Sequence, residues 1–245
     1  MKDVHLIMPM GGAGSRFKRD GVMIPKPLIE IEGKPFFYWA VRSISKFMTN
    51  FDLTFVVLAA HIKDFRIDEK IKEYFPDASI IVIPEVLDGA VLTCLEGVKQ
   101  IGDDAPIIFN DCDHMFRCDK LYEKCQNIPW EEDGLLLSFV SDDAKFSYLQ
   151  LDENGMVCQT VEKVVVSNHA ICGVYCFKNK SVFENAAKKY LVNCDYTEFF
   201  VSGVYNVMVE DKQKIGYFDV DMHVSFGTPE EYELAKNKQE FEDLR

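Results

Sequence analysis

The chain has 245 residues, 48% of them hydrophobic and 27% charged, a composition that excludes a disordered or collagen-like chain. Its formal charge of −13, from 40 acidic and 27 basic residues, repels a phosphate backbone, so nucleic acid is not an expected partner, although one local cationic pocket can still hold one triphosphate. No apolar run reaches the roughly 18–20 residues of a membrane span, and Met1-Lys2-Asp3-Val4-His5 leads into too short an apolar run for a signal peptide, so no membrane partner is expected.

In chain order, a short apolar strand at 5–10 breaks at Gly11-Gly12-Ala13-Gly14. Apolar residues at helical spacing cover 35–47, and a run rich in Phe, Val, Thr and Leu predicts a strand at 51–58. A helix over 62–74, a buried strand at 79–83 and a helix over 89–101 follow. A strand at 106–109 then runs into Asn110-Asp111-Cys112-Asp113. This alternation predicts a largely parallel sheet covered by helices on both faces, with right-handed crossovers.

The second half is richer in β signals. Strands are expected at 134–140, 147–151, 157–163 and 170–177, with Glu153-Asn154-Gly155 as a hairpin turn. Helices at 181–190 and 198–209 and a strand at 214–219 come next. The last helix, 228–238, opens with Thr-Pro-Glu-Glu, which places Pro in the first turn and acids at the positive end. No repeat, low-complexity tract or linker interrupts the chain. The expectation is one mixed α/β domain over 1–245, with halves at about 1–115 and 116–245 and a small β-rich insertion in the second. The eight cysteines show no CxxC pair and no zinc spacing. They read as reduced thiols, several of them small buried hydrophobes, in a cytoplasmic protein.

The strongest local signal is Met10-Gly11-Gly12-Ala13-Gly14-Ser15-Arg16, directly after the first strand. Glycines let backbone N–H groups approach an anion closely, and Arg16 adds a planar cation that forks onto phosphate oxygens. Pro25-Lys26-Pro27-Leu28 follows, with two prolines fixing where Lys26 points. The spacing matches neither a P-loop nor a dinucleotide fingerprint. Together with Gly33-Lys34-Pro35, these motifs resemble, in type and order, the signature of the sugar-phosphate nucleotidyltransferases. Weaker echoes extend along the chain at Asp88-Gly89-Ala90, Asp111-Cys112-Asp113, Glu162-Lys163, Gly173-Val174-Tyr175 and Gly227-Thr228-Pro229-Glu230.

The resemblance implies a Rossmann-like, GT-A-like nucleotidyltransferase fold, with a nucleotide-binding first half and an acceptor-binding second half. It implies the reaction of an NTP with a phosphorylated small molecule, most often a sugar 1-phosphate, giving NDP-substrate and pyrophosphate. The cofactor would be Mg²⁺, and the product would serve surface polysaccharide (capsule or lipopolysaccharide) biosynthesis. A homo-oligomer is allowed. On this reading Arg16 and Lys26 are catalytic charge clamps on the phosphates. Met10, Gly11, Gly12, Ala13, Gly14, Ser15, Glu85, Gly89, Ala90 and Asp111 bind the nucleotide. Glu162, Lys163, Gly173 and Glu198 bind the acceptor. Asp113 is the expected metal ligand, a hard carboxylate suited to Mg²⁺.

Many family members carry a second aspartate where this chain has Ser225, so Asp219 or Asp221 is the substitute, with Asp221 as the expected second ligand. His223 lies nearby, but a lone histidine is more often structural. Glu85, an acceptor-only carboxylate, would meet the amino group of cytosine and so favour CTP over UTP and dTTP, without excluding GTP. Three alternatives stay open. The chain could be a metal-dependent glycosyltransferase using Asp111-Cys112-Asp113 on a nucleotide-sugar. It could be a non-catalytic regulatory member, against which intact Arg16, Lys26 and Asp113 argue. It could be a cytidylyltransferase for phosphocholine or another non-sugar phosphate.

Overall fold

The computed structural model describes residues 3–102 and 105–245; Met1, Lys2, Asp103 and Asp104 lie outside the described residues. The first half runs β1 (Val4–Met10), α1 (Ser15–Arg19), a 3₁₀ turn (Lys26–Leu28), β2 (Glu30–Ile31), β3 (Lys34–Pro35), α2 (Phe36–Ser45), β4 (Phe51–Leu58), α3 (Ala59–Phe65), α4 (Ile67–Tyr74), β5 (Ser79–Ile83), α5 (Ala90–Val98) and β6 (Ile107–Asn110). It continues with β7 (His114–Arg117), α6 (Asp119–Gln126), β8 (Gly134–Val140), β9 (Ser147–Leu151), β10 (Val157–Glu162) and β11 (His169–Phe177). The chain closes with α7 (Lys180–Asn193), α8 (Val201–Glu210), β12 (Ile215–Asp219), β13 (Met222–Ser225), α9 (Pro229–Ala235) and α10 (Glu240–Leu244).

Nine strands form one mixed sheet in the order β10-β9-β11-β6-β1-β4-β5, with β8 paired to β11 and β12 on a branch. The β6-β1-β4-β5 portion is parallel, and β11 joins it antiparallel to β6. Alternation along β1 divides the core. Leu6, Met8 and Met10 face a cluster with Phe37, Val41 and Ile44 of α2 and Leu121 of α6. Ile7 faces the opposite cluster with Val91 and Cys94 of α5, Phe183 of α7 and Tyr205 of α8. This is the Rossmann-like α/β architecture that the motifs implied.

Several expected elements differ in detail. The helix over 62–74 is two helices, broken at Arg66, which adopts a left-handed φ of 52°. The strand at 79–83 is not buried but forms the sheet edge, with Val82 50% exposed. Its apolar side chains reflect β preference and partial helix cover, and periodicity alone cannot separate those from full burial. The hairpin turn is present, with Gly155 at φ 75°. Six of the eight free cysteines are buried.

Two short pieces that the sequence reading passed over position the site. Strands β7 and β13 pair antiparallel, matching His114 with Ser225 and Phe116 with His223. A third apolar cluster then ties this ribbon to the N-terminal loop: Phe17, Ile31, Phe36 and Trp39 pack with Met115, Phe226 and Phe241. Trp39 Nε1 donates to the Ile31 carbonyl at 2.8 Å, and Asn110 Nδ2 donates to the Ala40 carbonyl at 2.9 Å. The end of β6 is thereby pinned to α2, and the loop carrying Lys26 is held over the ribbon.

Candidate active site

The site lies at the carboxyl ends of β1 and β6, where open α/β sheets collect their ligands. Gly11 is a packing position: a Cβ there would stand 2.6 Å from Ile83 Cδ1. Gly12 faces open space. Gly14 adopts φ 62°, and a Cβ would come within 3.3 Å of Lys26 Cβ, so this glycine allows the loop to touch the Lys26 turn. The turn is closed by Leu28 N–H donating to the Pro25 carbonyl at 2.9 Å. From it Lys26 Nζ reaches Asp113 Oδ2 at 2.7 Å.

Two cavities meet here. Met10, Gly12, Lys26 and Pro27 line one, together with Asp111 and Asp113. The other, also lined by Asp111 and Asp113, extends between Arg16 and Ala90 on one side and Glu162 and Gly173 on the other. Both carboxylates lie against glycines. A Cβ on Gly173, which has φ 83°, would stand 2.9 Å from Asp111 Oδ2, and one on Gly227 would stand 2.4 Å from Asp113 Oδ2. A side chain at either position would displace its carboxylate. Among the described residues no group of three or more His, Cys, Asp and Glu forms a protein-only metal centre. One or two carboxylates, supplemented by phosphates and water, is the pattern of a Mg²⁺ site.

The charges are strongly coupled. Burial pushes the Asp111 carboxyl up to about 7, and neighbouring Asp113 adds to the rise. Burial also pushes Asp113 upward, but the Lys26 charge and hydrogen bond win and hold it below the usual carboxylate range. Burial lowers Lys26, and Asp113 more than offsets this, so its ammonium stays firmly protonated. That suits a charge clamp and not a general base. Burial drives His114 down to about 4 against the pull of Asp113 and drives His223 well below its usual value, with His114 adding to the fall.

The remaining expected residues fall in different places. Arg16 is exposed at the first turn of α1 and lines the larger cavity. Ala13 and Ser15 are exposed beside it. Gly89 has φ 129°, and a Cβ would stand 2.4 Å from the Phe199 backbone nitrogen, so its role is a close backbone approach. Glu162 lines the larger cavity and accepts hydrogen bonds from Ser147 Oγ and, at 3.0 Å, from Ser202 Oγ. Lys163, at φ 55°, lines neither cavity; its ammonium lies 4.6 Å over the Phe200 ring, which does line the larger one. Glu198 is exposed and lines neither, although its neighbour Phe199 hydrogen-bonds Asp88 and Val91 beside Gly89. Glu85 is exposed and lines neither cavity.

Asp221 requires a correction. Its carboxylate accepts from the Asp119 N–H at 2.8 Å and so caps α6. It lies beyond the Arg117 end of the ribbon, whereas Asp113 adjoins the His114 end. Four to five residues at strand rise separate them by about 13 Å. Asp219 is also occupied elsewhere, by Ser138 Oγ at 2.6 Å and His169. Ser225 does line the larger cavity. The wall also contains His114, His223, Lys145 and Tyr175. Of these, His223 and, within the Gly173-Val174-Tyr175 echo, Tyr175 are marked in the sequence; no spacing rule marks His114 or Lys145, and the pairing of β7 with β13 brings the histidines together.

The fold and the cleft define an α/β protein with a charged cleft at the carboxyl edge of its sheet. The chain belongs to the Nucleotidyl transferase family, whose model matches residues 5–240, and is a nucleotidyltransferase. It is 27% identical over 237 residues to the D-glycero-alpha-D-manno-heptose 1-phosphate guanylyltransferase of Campylobacter jejuni, covering 94% of this chain and 97% of that protein. Its fold is similar to the nucleoside-diphosphate-sugar pyrophosphorylase of Vibrio cholerae RC9, with a TM-score of 0.81 at 21% identity over 95% of this chain and all of that one. It is also similar to the inositol-1-phosphate CTP transferase of T. maritima, with a TM-score of 0.73 at 15% identity over 99% of this chain and 94% of that one.

Proposed function

We propose that this enzyme couples an NTP to a sugar 1-phosphate. The observation that carries the reading is the convergence of Lys26, Asp111 and Asp113 where the glycine-loop cavity opens into the larger one. The triphosphate would lie along Gly12 and Lys26, and the acceptor would occupy the cavity walled by Glu162 and Gly173. An acceptor phosphate oxygen attacks the α-phosphorus, the bond from that phosphorus to the bridging oxygen breaks, and its electron pair departs on pyrophosphate. The attacking oxygen is already anionic, so no protein base is needed. The task is alignment and neutralisation of like charges. Lys26 would bridge the α-phosphate and the incoming phosphate, which requires its bond to Asp113 to be shared or exchanged on binding. Arg16 would meet the departing pyrophosphate.

Asp111 and Asp113 fit a divalent cation, because two close carboxylates, one of them raised by burial and then by its neighbour, are a hard-oxygen pair suited to positive charge. When bound, Mg²⁺ would supply neutralisation of the triphosphate. The similarity to a heptose 1-phosphate guanylyltransferase supports the acceptor class. Glu85 is exposed and lines neither cavity, so the structure adds no support for the CTP preference. The free thiols and the need for NTP support a cytoplasmic enzyme. The test is a pyrophosphate-release screen of ATP, GTP, CTP, UTP and dTTP against hexose, heptose and inositol 1-phosphates and phosphocholine. Release that needs both an NTP and a sugar 1-phosphate is the expected result. Release with no sugar phosphate in the panel would overturn the reading.

A further inference from the structure

We propose that His114 and His223 form a hydroxyl-reading wall in the acceptor cavity, so that this enzyme selects its acceptor by neutral hydrogen bonds to a polyhydroxylated phosphate. The inference rests on the acceptor placement above. Both rings line the larger cavity. They come from opposite strands of the ribbon, at diagonal positions of one face, with ring centroids 5.5 Å apart. Each ring has one stacked aromatic neighbour, His114 on Phe116 at 5.7 Å and His223 on Phe139 at 4.0 Å, and carries its nitrogens along its edges.

Those edges are unsatisfied. His114 is 3% exposed, yet neither of its nitrogens has a hydrogen-bond partner among the described residues, and neither has Nε2 of His223. The Gly173 carbonyl lies beside His114 and also accepts from the Asp111 N–H at 2.9 Å; it can meet at most one of the two ring nitrogens. Buried polar groups without partners are rare and costly in native proteins. Two in one cavity wall point to a ligand that supplies the missing partners. A Cβ on Gly173 would stand 3.3 Å from His114 Nε2, so a side chain at 173 would crowd the ring.

The chemistry selects the ligand. A neutral imidazole offers one donor and one acceptor, and a hydroxyl offers both in return. Adjacent hydroxyls of a sugar or polyol match two such rings. A quaternary ammonium offers neither and needs bare aromatic faces instead. Here the two phenylalanine faces beside the cavity are occupied by the protein's own cations, Lys145 over Phe146 at 4.8 Å and Lys163 over Phe200 at 4.6 Å. Phosphocholine is therefore a poor fit, although three aromatic residues and Glu162 line the same cavity.

The test uses His114→Phe, His223→Phe and His114→Asn in the full chain, with kcat and KM measured separately for NTP and acceptor. The probe is the polyol phosphate that wild type turns over fastest, together with its monodeoxy analogues. Each Phe variant should raise the acceptor KM at least tenfold, change the NTP KM less than twofold, and melt no lower than wild type, because an unsatisfied polar ring is replaced by an apolar one. His114→Asn, which keeps a donor and an acceptor, should recover part of the loss. One deoxy analogue should lose affinity in wild type but not in the matching Phe variant. Unchanged acceptor KM in both Phe variants overturns the proposal, as does a drop in melting temperature with KM rising equally for NTP and acceptor. Wild-type preference for phosphocholine over every polyol phosphate also overturns it. Absence of turnover with every pair would instead overturn the parent reading, and this one with it.

Discussion

The two cavities that meet at Asp111 and Asp113 are built in different ways. On the Lys26 side the wall comes from three short runs, 9–12, 26–27 and 111–113, with Gly12 and two prolines among them. On the other side the wall is made of side chains from α1, α5, α8, α9 and both antiparallel sheet regions, brought together from positions 16 to 231. On the proposed reading, the cavity that takes the triphosphate can rely on backbone amides and fixed cations, whereas the cavity that recognises a particular acceptor needs side chains. Charge handling and acceptor choice would then be separable and could be broken separately.

The sharpest break is expected at Lys26. Removing one preorganised positive group from a developing charge costs on the order of 10²–10³ in kcat. Lys26→Ala should lose at least that much pyrophosphate release while circular dichroism stays unchanged. Near-full turnover would remove Lys26 from the chemistry and leave the nucleotide side undefined.

Glycine substitutions come next. Gly227→Ala forces a methyl group to 2.4 Å from Asp113 Oδ2, so the carboxylate must shift from Lys26. A fall in kcat of about tenfold, equivalent to ~1.4 kcal/mol, with a raised Mg²⁺ requirement, is expected. Gly12→Ala meets no protein atom within 4 Å. It should leave melting unchanged and raise only the NTP KM. If both variants behave alike, the division between the two sides fails.

A smaller effect separates the two aspartates by pH. The folded-state Asp111 carboxyl is raised from 3.8 to about 7, chiefly by burial and then by Asp113. Below pH 4 both folded and unfolded states hold the proton and nothing is lost. Between pH 4 and 7 only the unfolded state ionises, so stability falls as pH rises, and above 7 the penalty is complete. In metal-free protein Asp111→Asn should therefore gain melting temperature over wild type progressively from pH 4 to 7 and then level off. Asp113 is shifted the other way, so its contribution is present above its usual pKa and lost as pH falls through its lowered one. A gain for Asp111→Asn that shrinks with rising pH would contradict the coupling.

The smallest expected effect is at Asp221. Asp221→Ala removes the cap on α6 and should cost about 1 kcal/mol of stability, while the Mg²⁺ titration of activity stays unchanged. A shifted titration would return Asp221 to the metal site.

The order of strand and helix signals, the glycine loop, the braced Lys26 and the Asp111-Cys112-Asp113 run at a strand end were legible in the sequence because each is a local feature. Hydrophobic period, turn residues and a motif's spacing act within a dozen residues. The two-residue strands, the β7–β13 ribbon and the edge position of β5 were not, because they depend on which distant segments pair. The same limit explains the second half of the site. Glu162 and Gly173 could be named by motif, but Asp221 was placed by its nearness in sequence to the late glycine. Strand geometry sends it about 13 Å away. Lys163, beside Glu162 in sequence, takes a left-handed backbone conformation and turns toward Phe200. The class of sheet and the glycine-rich loop after β1 can be read from local sequence alone, since backbone chemistry and short-range periodicity decide both. Only the tertiary structure decided that Asp113 meets Lys26 across 87 positions and that two histidines 109 positions apart share one buried wall. A long-range contact is set by packing and strand pairing, and these leave no mark in the spacing of the residues that make it.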